Sequence, residues 1–96
     1  MTLSKAEIMS KNAEEIFDKL ANKNLRVVGI KQVLKSLDTG RVRCVILAEN
    51  ADEYYKACVM ESVKNNNAEV VTVPTKELLA AYCRVDAPTA VAALRE

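Results

Sequence analysis

Histidine and tryptophan are absent from this chain, aromatic residues make up 4% of it, and glycine and proline occur only twice each. Each shortage excludes something. Without histidine the commonest general base is missing, as is the usual partner of a serine or cysteine nucleophile, so an enzyme is not expected. So little glycine and proline excludes collagen-like and linker-rich chains, and an apolar share of 50% argues against disorder. No apolar run approaches the roughly 18–20 residues of a membrane span, so no membrane partner is expected. The opening Met1-Thr2-Leu3-Ser4-Lys5-Ala6-Glu7 lacks the apolar centre of a secretory signal. Cys44, Cys58 and Cys83 are odd in number and too far apart in sequence for a zinc motif. Neither a disulfide framework nor a metal is expected. The expectation is a soluble, cytoplasmic domain. At 96 residues the chain has room for one domain, with a core of Val, Leu, Ile and Ala.

What is present is charge, and it is unevenly placed. The net charge is only +1. Residues 1–18 hold Lys5 and Lys11 against Glu7, Glu14, Glu15 and Asp18, a net of −2. Residues 19–43 hold Lys19, Lys23, Arg26, Lys31, Lys35, Arg41 and Arg43 against Asp38 alone, a net of +6. The remainder, residues 44–96, carries −3. Positive charge gathered in one stretch suits an anionic partner, and it also suits an ordinary solvated face.

The chain has no repeat and no low-complexity linker. Ser4 followed by Glu7 is a capping-box pattern, and Ile8, Ala13, Ile16, Phe17 and Leu20 continue it as a helix over about 4–22. A short strand over 25–28 ends at Gly29. A second helix from Ile30 to about Asp38 has Ile30, Val33, Leu34 and Leu37 on one face, and Thr39-Gly40 stops it. The near-continuous apolar run over 43–48 predicts a central strand covered on both faces. Asp52 would cap a third helix over about 53–65, with Tyr55, Val59 and Val63 as its stripe and Asn65-Asn66-Asn67 closing it. A strand over 69–73 ends at Pro74, and Thr75 caps a fourth helix through about Cys83. Residues 89–94 read as the last strand. This alternation makes an α/β, three-layer α-β-α sandwich with a four-stranded sheet whose strand order stays open.

The segment Val28-Gly29-Ile30-Lys31-Gln32-Val33-Leu34-Lys35 carries the most information. Lys31 and Lys35, four residues apart, repel by a few tenths of a kcal/mol. Lys31 also stands in the first turn, where the helix dipole disfavours a cation. Both penalties reverse if an anion sits at the helix start, where free N–H groups and two ammonium groups would hold a phosphate. Gly29 would let a backbone approach closely. On spacing alone, solvated lysines and a turning glycine are the simpler reading. There is no G-x-x-x-x-G-K-[ST] and no G-x-G-x-x-G, so no nucleotide cofactor and no small-molecule substrate are expected.

From about Phe17 to Leu94 the chain resembles the ribosomal kink-turn RNA-binding superfamily: the archaeal large-subunit protein of that type, its short bacterial relatives, and small-subunit protein twelve of eukaryotic ribosomes. The matching segments are Val28 to Leu37, Cys44 to Asp52, and Val70 to Leu79 with the small-residue end Ala90-Val91-Ala92. The resemblance implies a mixed sheet and two RNA-contacting places. One is a G-x-N-E-x-x-K string, which falls on Gly29, Lys31, Gln32 and Lys35. Lys31 and Gln32 depart from the string as the bacterial branch does. Lys can donate to guanine acceptors where Asn donated, and Gln keeps one acceptor without the carboxylate charge. The other place is an apolar wedge before the last strand, here Val85-Asp86-Ala87-Pro88-Thr89-Ala90. The helix before it, L-G-x-A-x-G in the family, is Leu79-Ala80-Ala81-Tyr82-Cys83-Arg84, with both glycines replaced. Arg84 would add a phosphate contact, and Tyr82 reads as a packing residue.

The resemblance implies a single RNA-binding domain over 1–96, with an N-terminal helix over 1–22 and a core over 24–96. Its partners would be rRNA or a kink-turn RNA, with ribosomal proteins as possible neighbours, in a cytoplasmic ribosome. Arg26, Arg41 and Arg43 would widen the electrostatic footprint, since phosphate neutralisation dominates RNA affinity. The rival is a protein-binding regulator of the same fold that has lost its RNA. An enzymatic rival would need Cys83 beside Lys76, where a buried structural thiol is the simpler expectation.

Overall fold

The computed structural model describes residues 15–95. The part of the expected first helix before residue 15 lies outside the described residues. Residues 15–20 are helical (α1) and bring Leu20 fully into the core, with Ile16 and Phe17 packed beside it. The chain then alternates: β1 (Arg26–Val28), α2 (Ile30–Asp38), β2 (Val42–Ala48), α3 (Glu53–Asn65), β3 (Glu69–Val73), α4 (Lys76–Cys83) and β4 (Val91–Arg95). The sheet order is β1-β4-β2-β3. β4 runs antiparallel to both β1 and β2, and β2 runs parallel to β3. The sheet is therefore mixed. Three strands point the same way, so β1, β2 and β3 end, and α2, α3 and α4 begin, at one end of the sheet.

The period-two alternation of β2 feeds both covering layers. Val45 and Leu47 pack with Val33 and Leu37 of α2 and Val59 and Val63 of α3. Ile46 and Ala48 pack with Leu20, Leu79 and Cys83 on the α1 and α4 side. Each buried branched side chain is worth roughly 1.5–3 kcal/mol. At the start of β2, Val42 opposes Arg95 while Cys44 opposes Leu94, so Arg43 is the extra residue of a β-bulge. The bulge explains how Val42 and Val45, three residues apart, reach the same cluster.

The helix caps follow the sequence. The Asp52 carboxylate accepts from the Tyr54 N–H at 2.8 Å, and the Thr75 hydroxyl accepts from the Leu78 N–H at 3.0 Å. Three helices end in the same Schellman pattern, with a left-handed residue after the last turn. For α2 that residue is Gly40 (φ +71°), for α3 Asn67 (φ +53°), and for α4 Arg84 (φ +57°). Their hydrogen bonds agree: Arg41 N–H reaches Ser36 O at 2.9 Å, Ala68 N–H reaches Val63 O at 3.0 Å, and Val85 N–H reaches Ala80 O at 3.1 Å.

Two expectations need correction. The last strand begins at Val91, not at residue 89, because Thr89 and Ala90 are tied into the preceding loop: Thr89 N–H donates to Lys76 O at 3.2 Å. Tyr55 does not join the buried stripe of α3. It stays 43% exposed and meets Tyr54 edge-on, ring centroids 5.7 Å apart. Tyr82 is a packing residue, stacked on Phe17 at 4.0 Å with the rings 5° from parallel.

Candidate nucleic-acid interface

Gly29 connects β1 to α2 with φ +97° and ψ 150°, a region open essentially to glycine alone. A side-chain carbon added there would meet nothing within 4 Å. The requirement for glycine is thus one of backbone conformation, and the space above it is clear. No side chain caps α2, and its first turn holds no acidic residue. The first N–H groups of a helix have no partner inside it, so this start offers donors and a positive dipole end together. Lys31, Gln32 and Lys35 are exposed along the adjoining face. Among the described residues, neither lysine forms an ion pair; the lysines that do are Lys19 with Glu15 and Lys56 with Glu53.

The loop over 85–90 reaches the same end of the sheet. Gly29 N–H donates to Val91 O at 3.1 Å, which ties the start of α2 to the residue after the loop. Ala48 N–H donates to Ala90 O at 2.9 Å, and Thr89 Oγ1 donates to Ala87 O at 3.3 Å. Both legs of the loop are therefore held. Val85 and Ala90 pack against the α4-side cluster, and Thr89 is buried. The exposed tip is Asp86, Ala87 and Pro88, with Val85 half-buried beside it, so Ala87 and Pro88 are the apolar groups most open to a ligand. Arg84 is exposed at the loop's entrance, in the left-handed conformation that the family's glycine would adopt. A residue other than glycine holds this conformation at a local strain of roughly 1–2 kcal/mol.

The other basic residues lie elsewhere. Arg26, Arg41 and Arg43 stand at the starts of β1 and β2, the end of the sheet opposite Gly29. Arg26 alternates with Val27 and, like Val28, belongs to the α4 side, where it opposes the upward push of burial on the Cys83 thiol. Arg41 instead faces a groove beside α2 that it shares with Lys35 and Arg95. Arg95 escaped the sequence reading because its place depends on the strand register and the bulge. Asn50 was also missed: its side-chain oxygen accepts from the Lys76 N–H at 2.8 Å and joins the β2–α3 turn to the start of α4.

Nucleophilic chemistry finds little support. Burial pushes the Cys44 thiol up to about 11, with Glu69 adding to the shift and Lys19 opposing it. Cys83 is fully buried and its thiol is also raised by burial. Both remain protonated near neutral pH. Among the described residues no group of three or more Cys, Asp or Glu side chains could hold a metal ion.

Known proteins share sequence and fold with this chain. The chain is 32% identical over 78 residues to an RNA-binding protein of Geobacillus sp. (strain WCH70), covering 81% of this chain and 95% of that one. It is 32% identical over 68 residues to an RNA-binding protein of Caldanaerobacter subterraneus subsp. tengcongensis, covering 71% of this chain and 83% of the relative. Its fold is shared with a Giardia lamblia 15.5kD RNA binding protein (TM-score 0.75, 21% identity, 93% of this chain and 75% of that one). A protein of unknown function from Bacillus halodurans shares it too (TM-score 0.76, 20% identity, 84% of this chain and 81% of that one). Residues 11–96 match the model of one family. The chain is a member of the Ribosomal protein L7Ae/L30e/S12e/Gadd45 family.

Proposed function

We propose that this protein is a non-enzymatic RNA-binding domain, spanning the chain, that serves as a structural ribosomal or ribosome-associated component in the cytoplasm. Its ligand is rRNA or a kink-turn-like motif, and it needs no cofactor. One observation carries the reading: the start of α2 combines a glycine-only backbone, clear space above it and two lysines without ion-pair partners among the described residues. An unoccupied surface gains nothing from that combination, whereas a phosphate backbone does. The relatives described as RNA-binding support it.

Kink-turn RNA titrated across a salt series tests the proposal. The wild-type protein should bind, with an affinity that falls steeply as salt rises. Lys35→Ala should weaken binding and lower the salt slope by roughly one unit, the mark of one lost phosphate contact. Unchanged affinity and slope would remove Lys35 from the site. The protein-binding rival has its own surface on α3, where Tyr54, Tyr55 and Met60 are exposed at 70%, 43% and 48%. A wild-type chain with no RNA affinity at low salt, and loss of a protein partner on Tyr54→Ala, would favour that rival.

A further inference from the structure

The groove along the flank of α2 has a volume of about 550 Å³. Val27 forms its apolar floor, Gln32, Ser36 and Thr39 supply neutral polar groups, and Lys35, Arg41 and Arg95 supply charge. Among the described residues, no acidic side chain lines it. The three cations come from three different elements, and each is fixed there by backbone structure. Lys35 follows Lys31 by one helical turn. Arg41 is turned back toward the helix by the Schellman bond from its N–H to Ser36 O, which Gly40 makes possible at φ +71°. Arg95 lies opposite Val42 in the register, one residue from Arg41, and its N–H donates to Leu25 O at 2.8 Å. Among the described residues, Arg41 and Arg95 form no ion pair. With no counter-charge among the described residues, cations held together repel one another, and their placement adds nothing to the fold.

We infer that this groove is a second anionic site, which holds the phosphodiester backbone of an RNA stem flanking the motif bound at Gly29. This rests on the RNA-binding reading above and extends it to a second contact. Nine residues of α2 span about 13 Å from the Gly29 end to the groove's far end. Lys31 and Lys35 mark the route between them. A strand leaving the Gly29 end along this helix face would meet Arg41 and Arg95 next. The groove is half open to solvent, which leaves a polymer room to pass along it. Arginine suits the role, because its planar fork can grip a phosphate with two parallel hydrogen bonds.

The test compares two kink-turn RNAs with the same central motif. One has both stems cut back to the shortest stable length, and the other has its stems extended past the far end of α2. The variants are Arg41→Ala/Arg95→Ala and, as a control, Lys31→Ala. The arginines are exposed, so the double variant should fold, and its thermal midpoint should match the wild type. It should lose roughly ten- to a hundredfold in affinity for the extended RNA, the size of a lost charge-assisted contact. Its salt slope on that RNA should fall by about two units. Its affinity for the short RNA should not change, whereas Lys31→Ala should weaken both. Equal losses on both RNAs, or no loss on the extended one, would overturn the second site while leaving the RNA-binding reading in place. Failure of the wild-type protein to bind either RNA would instead overturn that reading and this inference with it.

Discussion

The two ends of the sheet are basic in different ways. At the Gly29 end the key feature is backbone: a glycine-only conformation, an uncapped helix start, and a loop held by main-chain hydrogen bonds. At the Arg41 end the feature is side-chain charge, brought together by register and a helix stop. A site made of backbone fixes geometry and accepts few substitutions. A site made of arginine tips supplies attraction and tolerates a shifting partner. In this pair the first end would read shape and the second would add grip.

Breaking the backbone end should have the largest effect. Gly29→Ala forces a side chain into the φ +97° region, which costs about 1–3 kcal/mol, partly offset by about 0.4–1 kcal/mol from a stiffer unfolded chain. Urea unfolding should therefore show a net loss of about 1–2 kcal/mol. Because nothing lies within 4 Å of the added carbon, that loss is strain and not a clash. RNA affinity should fall by more than the Lys35→Ala variant loses, since the carbon also occupies the space left for the ligand. Affinity equal to wild type would mean that Gly29 serves only the turn.

A smaller effect of opposite sign sharpens the contrast at Arg84. Among the three helix-closing residues, Gly40 and Asn67 suit the left-handed conformation and Arg84 does not. Arg84→Gly should relieve strain and, after the added freedom of the unfolded chain, stabilise the protein by up to about 1 kcal/mol in urea. The same variant should lose salt-sensitive RNA affinity. A gain in stability with no change in binding would show that Arg84 touches no phosphate.

The smallest effect tests the span between the two ends. The Cys44 thiol is raised from 9.0 to about 11, so the folded protein keeps a proton that the unfolded chain releases earlier. The stability this contributes is complete below about pH 9 and is lost as pH rises toward 11. Urea midpoints taken across that range should decline, and Cys44→Ala should make the decline shallower.

Much of the fold was legible in the sequence. The unbroken apolar run over 43–48 announced a strand covered on both sides, and Asp52 and Thr75 announced their helices by their capping chemistry. The mixed sheet was not legible from pattern, because alternation says nothing of which strands pair; family resemblance supplied it. Helix spacing puts Lys31, Gln32 and Lys35 on one face beside Gly29, and only the family resemblance made RNA contacts of them. Arg26 shows the limit of counting charge along a chain: it lies two residues before Val28 and so shares its face, away from α2. Arg95 needed the bulge at Arg43, which no local pattern reveals. The half-buried state of Val85, beside a loop tip formed by Asp86, Ala87 and Pro88, was not legible, because it depends on how the loop packs against α4.

The hydrogen bond between Gly29 and Val91 ties the start of α2 to the first residue of β4, directly after the loop over 85–90. Neither can slide to fit a nucleotide without stretching the other. If RNA docks there as proposed, adaptation would fall mainly on the nucleic acid, and sequences that flex cheaply into the required curve would be favoured without any base being touched.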